Sequence, residues 1–386
     1  MRVLVIGHSL VVDTNRAVWN ELAGISSFDV DAVVPINWES NLIKNLSYQH
    51  NPMMDSSFQK IYSIPTYLKG NGSFYFFSPL KLYKTLSENS YEHIIMAQET
   101  WSLSLLILNI IKSITKNKNT PIHLWVCQNI KKKNLYWLRH FERLNCKTVK
   151  NIMCCCQEIA DVIKWKGINR RCLYFPFSFE GSHYHLKPFT KKENLIFGYL
   201  GRFGEEKGLN ILIKAFKKFN QKYSSSQLIL QGAGPLKDTL LAAAKDNPQI
   251  IVKDPIPHNE AHTFYQKIDV FILPSETRSF WKEQFGRVLI ESAASGCVIA
   301  GSDSGAIPEV LSHLQSPYVF QEGDEISLVE QMIKIQKDYQ LEDMPNKISL
   351  SSELSFKLFE NKSVAKRIAR YLQEKIKTVD ILLEEK

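Results

Sequence analysis

Long apolar runs are missing from this chain of 386 residues. The longest, around Leu103–Ile111, is interrupted by Ser104 and Asn109 and falls short of the ~20 residues that a membrane-spanning helix needs. Met1-Arg2 leads straight into VLVIG, which is too short for a signal-peptide core and ends in Gly7, as a first strand would. The chain therefore reads as cytoplasmic. Paired cysteine spacing is missing too. The seven cysteines are odd in number and Cys154, Cys155 and Cys156 are adjacent, which fits neither a disulfide framework nor a CxxC zinc site. Small buried hydrophobes are their expected role. No cluster of metal ligands stands out, and Asp303 alone does not make one, so no metal is expected. The patterns GxxxxGKS/T and GxGxxG are both absent. Without a helix-turn-helix, zinc-finger or RNA-binding signature, nucleic acid is not an expected partner.

What is present is globular: 44% hydrophobic and 23% charged residues. The length suits two domains of roughly 180 residues each. The net charge of +9 is unevenly placed. Residues 1–190 hold 22 Lys+Arg against 13 Asp+Glu, whereas residues 191–386 hold 26 of each. The whole excess lies in the first half and points to an anionic membrane surface or an acidic acceptor there, with plain solubility as the bland alternative.

The first half opens with the strand-like RVLVIG and the loop from His8 to Thr14, and a helix is expected from Asn15 to Ala23, capped by Thr14 or Asp13. Further strands are expected at Val30–Val34, His93–Met96 and His123–Cys127. Strands alternating with helical segments imply a parallel α/β layer with ligands at the carboxyl ends of the strands. His8 follows the first strand and is a candidate contact for a sugar or an acceptor; a satisfied loop histidine is the alternative. Lys131-Lys132-Lys133 precedes LYWLRHFERL, where Leu135, Leu138, Phe141 and Leu144 recur at helical spacing beside Arg139, His140 and Arg143. Such a helix suits anionic lipid, and equally a surface helix packed on a core. Arg170–Lys192, with Pro176, Gly181 and Pro188, lacks a clean period and reads as the interdomain linker.

In the second half, Leu195–Leu200 reads as a buried strand, followed by Gly201-Arg202-Phe203-Gly204-Glu205-Glu206-Lys207-Gly208. Glycines allow close approach of a diphosphate, and Arg202 and Lys207 supply opposing charge. A second glycine turn, Gly232-Ala233-Gly234-Pro235, follows the strand Leu228–Gln231. From Pro274 to Leu311 the chain reads as loop, short helix, strand and a second glycine loop. Phe285–Ser295 has helix composition with Gly296 as its stop, and Cys297–Ala300 suits a buried strand. Two carboxylates bracket the helix entry, Glu283 and, eight positions on, Glu291. A helix starting near Gly286 leaves Glu283 in the loop and turns Glu291 inward, while its N-terminus offers amides to a phosphate. Trp281 lies in the loop before Glu283, either stacking on a base or sugar or packing on the core.

Pro274-Ser275, Glu283-x-Phe285-Gly286, Glu291, Ala294-x-Gly296 and Ser304-Gly305-x-x-Pro308-Glu309 together resemble the donor-site signature of glycosyltransferase family 4, and Gly201-Arg202 to Lys207-Gly208 resembles that family's diphosphate-binding element. The resemblance covers most of residues 195–311. The Gly-Gly pair that many members carry in the first loop is reduced here to Gly7 before His8. The resemblance implies the GT-B architecture, two Rossmann-like α/β domains with parallel sheets facing across a cleft. The domains would be 1–185 for the acceptor and 190–365 for the donor, with 366–386 a closing helix packed back on the first. It further implies a retaining, metal-independent glycosyltransferase with a nucleotide-diphosphate sugar as co-substrate and no cofactor. Arg202 and Lys207 would hold the phosphates, Glu283 the sugar hydroxyls and Glu291 the ribose. Gly201, Gly232 and the amides near Phe285 and Gly286 would line the donor. The acceptor would be a glycan or a lipid-linked glycan, in surface polysaccharide or glycoconjugate assembly. The alternative is a non-catalytic GT-B-like subunit that binds a sugar nucleotide or a partner.

Overall fold

The computed structural model describes residues 1–39, 47–49, 57–68, 70, 72, 74–132 and 136–373. Lys133, Leu135 and the end of the chain from 374 on, each part of an expectation above, lie outside the described residues. The chain divides into two compact units, Met1–Ser178 with the segment from Asn361 on, and Phe179–Glu360. These divisions fall earlier in the chain than the expected 185/190 and 365/366.

The first unit is built on a seven-stranded sheet. Its strands are β1 (Arg2–Gly7), β2 (Asp29–Pro35), β3 (Lys60–Ile64), β4 (His93–Ala97), β5 (Ile122–Val126), β6 (Val149–Cys154) and β7 (Arg171–Tyr174). All pairings are parallel, in the order β7-β6-β5-β4-β1-β2-β3. Parallel strands are covered on both faces, which is why β1 is an almost unbroken apolar run. The helix Asn361–Gln373 belongs to this unit, and Val364, Ile368 and Leu372, spaced by four, join Val3, Val5, Trp19 and Ile95 in its core.

Three expectations are corrected here. The first helix spans Asp13–Ala23 and is capped at Val12 without a side-chain bond. Asp13 is instead paired with the buried Arg16, whose guanidinium also donates to Leu10 O, so its carboxylate satisfies a buried charge. The linker expected from Arg170 contains β7, a short sheet strand with only one buried residue, Leu173, and so with little apolar signature. The strands β3 and β6 were not anticipated. In β6 the adjacent cysteines conceal a strand end: Cys154 closes it, and Cys154, Cys155 and Cys156 are all buried and none forms a disulfide.

The second unit carries a six-stranded parallel sheet of β8 (Ile196–Leu200), β9 (Gln227–Gln231), β10 (Ile250–Lys253), β11 (Val270–Leu273), β12 (Val298–Ser302) and β13 (Val319–Phe320). Its order is β10-β9-β8-β11-β12-β13. Both sheets thus follow one doubly wound scheme, in which the winding direction reverses beside the first strand of the unit. Loops leaving the two strands at such a reversal diverge and leave a crevice for a ligand. In the first unit those strands are β1 and β4, in the second β8 and β11.

Candidate functional site

In the second unit, the loops after β8 and β11 are bound to each other. Gly208 adopts φ +65°, and a Cβ at that position would stand 1.8 Å from the Pro274 carbonyl oxygen. Only glycine lets the two loops meet there. Glu276 N donates to Glu206 O at 2.8 Å, a second tie. Gly232, after β9, brings the third loop equally close: a Cβ there would stand 1.8 Å from Gly201 O.

This closure brings Lys207 and Glu283 together. Lys207 Nζ donates to Glu283 Oε2 at 2.8 Å, and Ser275 Oγ donates to the same oxygen at 2.9 Å. The ammonium also lies 4.4 Å from the centroid of the Trp281 ring. Trp281 therefore packs its face on a cation, an attraction that strengthens as the site loses water. Glu283 is 9% exposed. Arg202, although only five positions from Lys207, pairs with Glu206 of its own loop. Tyr199 OH donates to Arg202 O at 2.8 Å. The Tyr199 hydroxyl is held well above its ordinary pKa, first by burial and then by the charges of Glu283 and Glu206. It is thus a hydrogen-bond donor at neutral pH and not a base.

The helix Arg287–Ala294 begins after Gly286, so Glu283 lies in the loop and Glu291 one turn in. The Phe285 ring is buried against Phe359, which leaves its backbone as the only part able to meet a ligand. Glu291 is 1% exposed and surrounded. Tyr265 OH donates to its Oε2 at 3.0 Å, His258 Nε2 lies 3.1 Å from Oε1, and the buried Tyr184 is near enough to feel the carboxylate's charge. Burial, followed by the charge of Glu291, raises both tyrosines. Three neighbours of Glu291 thus escaped the sequence reading. Tyr184 lies far from Glu291 in the sequence, and His258 and Tyr265 sit at the two ends of one segment made of a 3-10 turn and a five-residue helix, a pattern with no recurring spacing to reveal them.

In the first unit, His8 stands at the end of β1, beside the reversal. Its ring lies 4.6 Å from Trp38 and 4.9 Å from Tyr75, and its backbone N–H donates to Tyr75 OH at 3.2 Å. Burial pushes its pKa down to about 4, so the ring is neutral at pH 7. Its Nδ1 is buried without a partner among the described residues. The basic helix lies in the same unit as Tyr136–Asn145. Arg139 stacks on the Trp165 ring at 4.1 Å, Arg143 donates to Lys166 O, and Glu142 is fully buried in an ion pair with Lys166. Much of its charge is spent on the unit's own side chains, while Lys131 and Lys132 are exposed. Among the described residues no group of three His, Cys, Asp or Glu is arranged to hold a metal. No described helix is long and apolar enough to cross a membrane.

Comparison with known proteins meets this geometry in the second unit. Residues 184–350 match the family model of glycosyl transferases group 1. The group 1 region thus contains Arg202, Lys207, Glu283 and Glu291. Among curated relatives, the chain is 26% identical over 140 residues to the 2-deoxystreptamine N-acetyl-D-glucosaminyltransferase of Niallia circulans, covering 36% of this chain and 35% of that protein. It is 28% identical over 160 residues to the capsular polysaccharide biosynthesis glycosyltransferase CapM of Staphylococcus aureus, covering 39% of each. The chain therefore spans little more than a third of the length of these relatives. Among solved structures, Anabaena HepE in complex with UDP superposes with a TM-score of 0.71 at 13% identity, covering 96% of this chain and 99% of that one. That likeness shows the fold: two Rossmann-like α/β domains with parallel sheets, the GT-B architecture.

Proposed function

We propose that the protein is a retaining glycosyltransferase of family 4. It would move a sugar from a nucleotide-diphosphate sugar to a hydroxyl of a glycan or lipid-linked acceptor, in surface polysaccharide or glycoconjugate biosynthesis. The observation that carries this reading is the contact of Lys207 with Glu283 at the strand reversal of the group 1 region. Relatives named as an N-acetyl-D-glucosaminyltransferase and as a capsular polysaccharide biosynthesis glycosyltransferase support the substrate class.

In this reading the acceptor oxygen replaces the phosphate oxygen at the anomeric carbon. The acceptor proton leaves with the departing diphosphate, whose negative charge grows as the bond breaks. A fixed cation there lowers the barrier. Lys207 is that cation, and Arg202 is the second once it turns from Glu206 to the phosphates. Glu283 orients Lys207 and contacts the sugar hydroxyls. Glu291 serves recognition of the ribose. The second unit binds the donor, and the first, through the edge that holds His8, binds the acceptor. With cations at the phosphates the reaction needs no metal. The exposed Lys131 and Lys132 belong to the surface that meets anionic lipid.

A panel of nucleotide sugars, assayed for transfer and hydrolysis, tests the reading. With the right donor, activity persists in excess chelator and NMR of the product shows the donor's anomeric configuration. Activity lost to chelator and restored by magnesium, or an inverted linkage, contradicts it, as does a panel with no turnover at all. For the surface, co-sedimentation with anionic but not neutral vesicles is expected, weakened by salt and by Lys131→Ala with Lys132→Ala. Equal binding to both vesicle types removes the lipid.

A further inference from the structure

The strands β8 and β11 send out the loops of Lys207 and Glu283 at their carboxyl ends. At their amino ends lies a cavity of about 260 Å³, lined only by residues of the second unit. Two of its lining residues, Lys192 and Asp269, stand just ahead of β8 and β11. A space of ~150 Å³ already holds a benzene ring, so a single six-membered ring with a substituent fits here. Phe189 and Ile348 supply apolar wall. Tyr339, 3% exposed, packs its ring on Phe189 with the centroids 4.9 Å apart.

The polar groups of this wall are unequally engaged. Lys187 spends its three N–H bonds on Tyr265 O at 3.0 Å, on Ile268 O and on Cys297 Sγ at 3.4 Å. Asp269 accepts from Lys192 Nζ at 2.7 Å on one oxygen and from Ile196 N at 2.9 Å on the other. Lys192 keeps two N–H bonds without a partner among the described residues, and its side chain is 41% exposed. The hydroxyl of the buried Tyr339 has no hydrogen bond there either. Burial, followed by the charge of Asp269, raises its pKa, so it stays protonated and can donate. Asp269 thus gathers the spare donors at one corner, with Lys192 bound to it and the Tyr339 hydroxyl within reach of its charge. Two ammonium groups face a single carboxylate whose oxygens are both occupied. One positive charge and two donor groups are left over.

We propose that this cavity binds a small organic anion: its carboxylate or phosphate accepts from Lys192 Nζ and the Tyr339 hydroxyl, and its ring lies against Phe189 and Ile348. Charge-assisted hydrogen bonds of this kind are the strong ones. The site lies at the opposite end of the strands from the proposed donor site and does not depend on it.

Calorimetry on the full chain tests the inference with benzoate, glucuronate and glucose 1-phosphate, which share the anion and differ in the body that carries it. Glucose is the neutral control. At least one of the three anions should bind 10-fold or more tightly than glucose, and salt should weaken it. Tyr339→Phe removes only the hydroxyl and should weaken that binding about 3- to 10-fold, the scale of one hydrogen bond. Its thermal midpoint should not fall, because the hydroxyl holds nothing within the chain. Lys192→Gln should weaken binding further, since a charged donor is lost. It also unpairs Asp269, so Tyr339→Phe decides the matter if Lys192→Gln loses stability. Each titration is repeated in Lys207→Ala, where binding at the Gly201–Gly208 loop is removed and binding at the cavity should persist.

No binding by any of the three anions overturns the inference. So does glucose that binds as tightly as they do, which would make the cavity a site for neutral sugars. So does a Tyr339→Phe protein with unchanged affinity. Binding that ignores Tyr339→Phe and disappears in Lys207→Ala belongs to the donor site, which then stands while the cavity does not.

Discussion

Lys207 Nζ lies 2.8 Å from Glu283 Oε2, yet the two residues are separated by 76 positions and leave different strands, β8 and β11. They meet because β8 and β11 are paired neighbours in the sheet, and because Gly208 lets one loop lie on the carbonyl of the other where the loops would otherwise diverge. The contact sets a balance of charge. Glu283 neutralises the cation that a diphosphate would seek.

Removing that balance should separate binding from turnover. Glu283→Gln keeps an acceptor oxygen for Lys207 and Ser275 and deletes the negative charge. The free nucleoside diphosphate should bind the variant more tightly, by up to about 10-fold on the scale of one charge-assisted hydrogen bond. Transfer should nevertheless slow, since the sugar loses its carboxylate. Calorimetry with the diphosphate beside steady-state kinetics checks both signs. Weaker diphosphate binding would mean that Glu283 does not compete for the cation.

Glu291→Gln should act chiefly on the donor KM, raising it about 3- to 10-fold, because a ribose changes little between ground and transition state. A drop in kcat larger than the rise in KM would place Glu291 nearer the reacting centre than this geometry does.

Gly208→Ala tests the joint between the loops. The left-handed backbone alone costs about 1–2 kcal/mol for a residue with a Cβ. The clash with Pro274 O forces the loops apart in addition. Chemical unfolding should show a loss of at least that size, and the activity retained should be far smaller than the stability loss explains. A variant as stable and active as the unaltered protein would contradict the close approach.

Acid should weaken the first unit through His123. Its ring lies 3.0 Å from a nitrogen of His93 and 3.3 Å from the hydroxyl of Tyr371, on the helix Asn361–Gln373. Burial, then His93 and Lys150, pushes its pKa down to about 3, and burial lowers His93 as well. The unfolded chain takes up the proton near pH 6.5, the folded chain only near the depressed value. Stability from this group is thus complete above about pH 6.5 and is lost as pH falls from there toward 3, reaching roughly 2 kcal/mol at pH 5. Urea unfolding at pH 7 and pH 5 should show a difference that shrinks by about that amount in His123→Gln. An unchanged difference would assign the acid sensitivity elsewhere.

The legible parts of this molecule were those written in contiguous residues. Gly201 to Gly208 and Glu283 to Glu291 stand out because their glycines and charges sit at fixed offsets within short contiguous stretches. Long apolar strands such as β1 were equally plain. What stayed hidden was either short or assembled from afar. β7 sits at a sheet edge and buries a single residue, so its sequence resembles a linker. The cluster of His258, Tyr265 and Tyr184 around Glu291 joins segments with no common period, and only the fold brings them together. Arg202 and Asp13 show a third limit: a charge can be read from sequence, but its partner, Glu206 in one case and Arg16 in the other, depends on which side chain folding leaves within reach.

The central claim is that Lys207 meets charge that grows as the donor bond breaks, and the kinetics of Lys207→Ala test it most directly. With a donor identified and the fold verified by its thermal midpoint, kcat and kcat/KM should fall together, by roughly 10²–10³-fold on the scale of a lost transition-state donor. A correctly folded Lys207→Ala protein with unchanged kcat would take the diphosphate away from the Gly201–Gly208 loop and contradict the account.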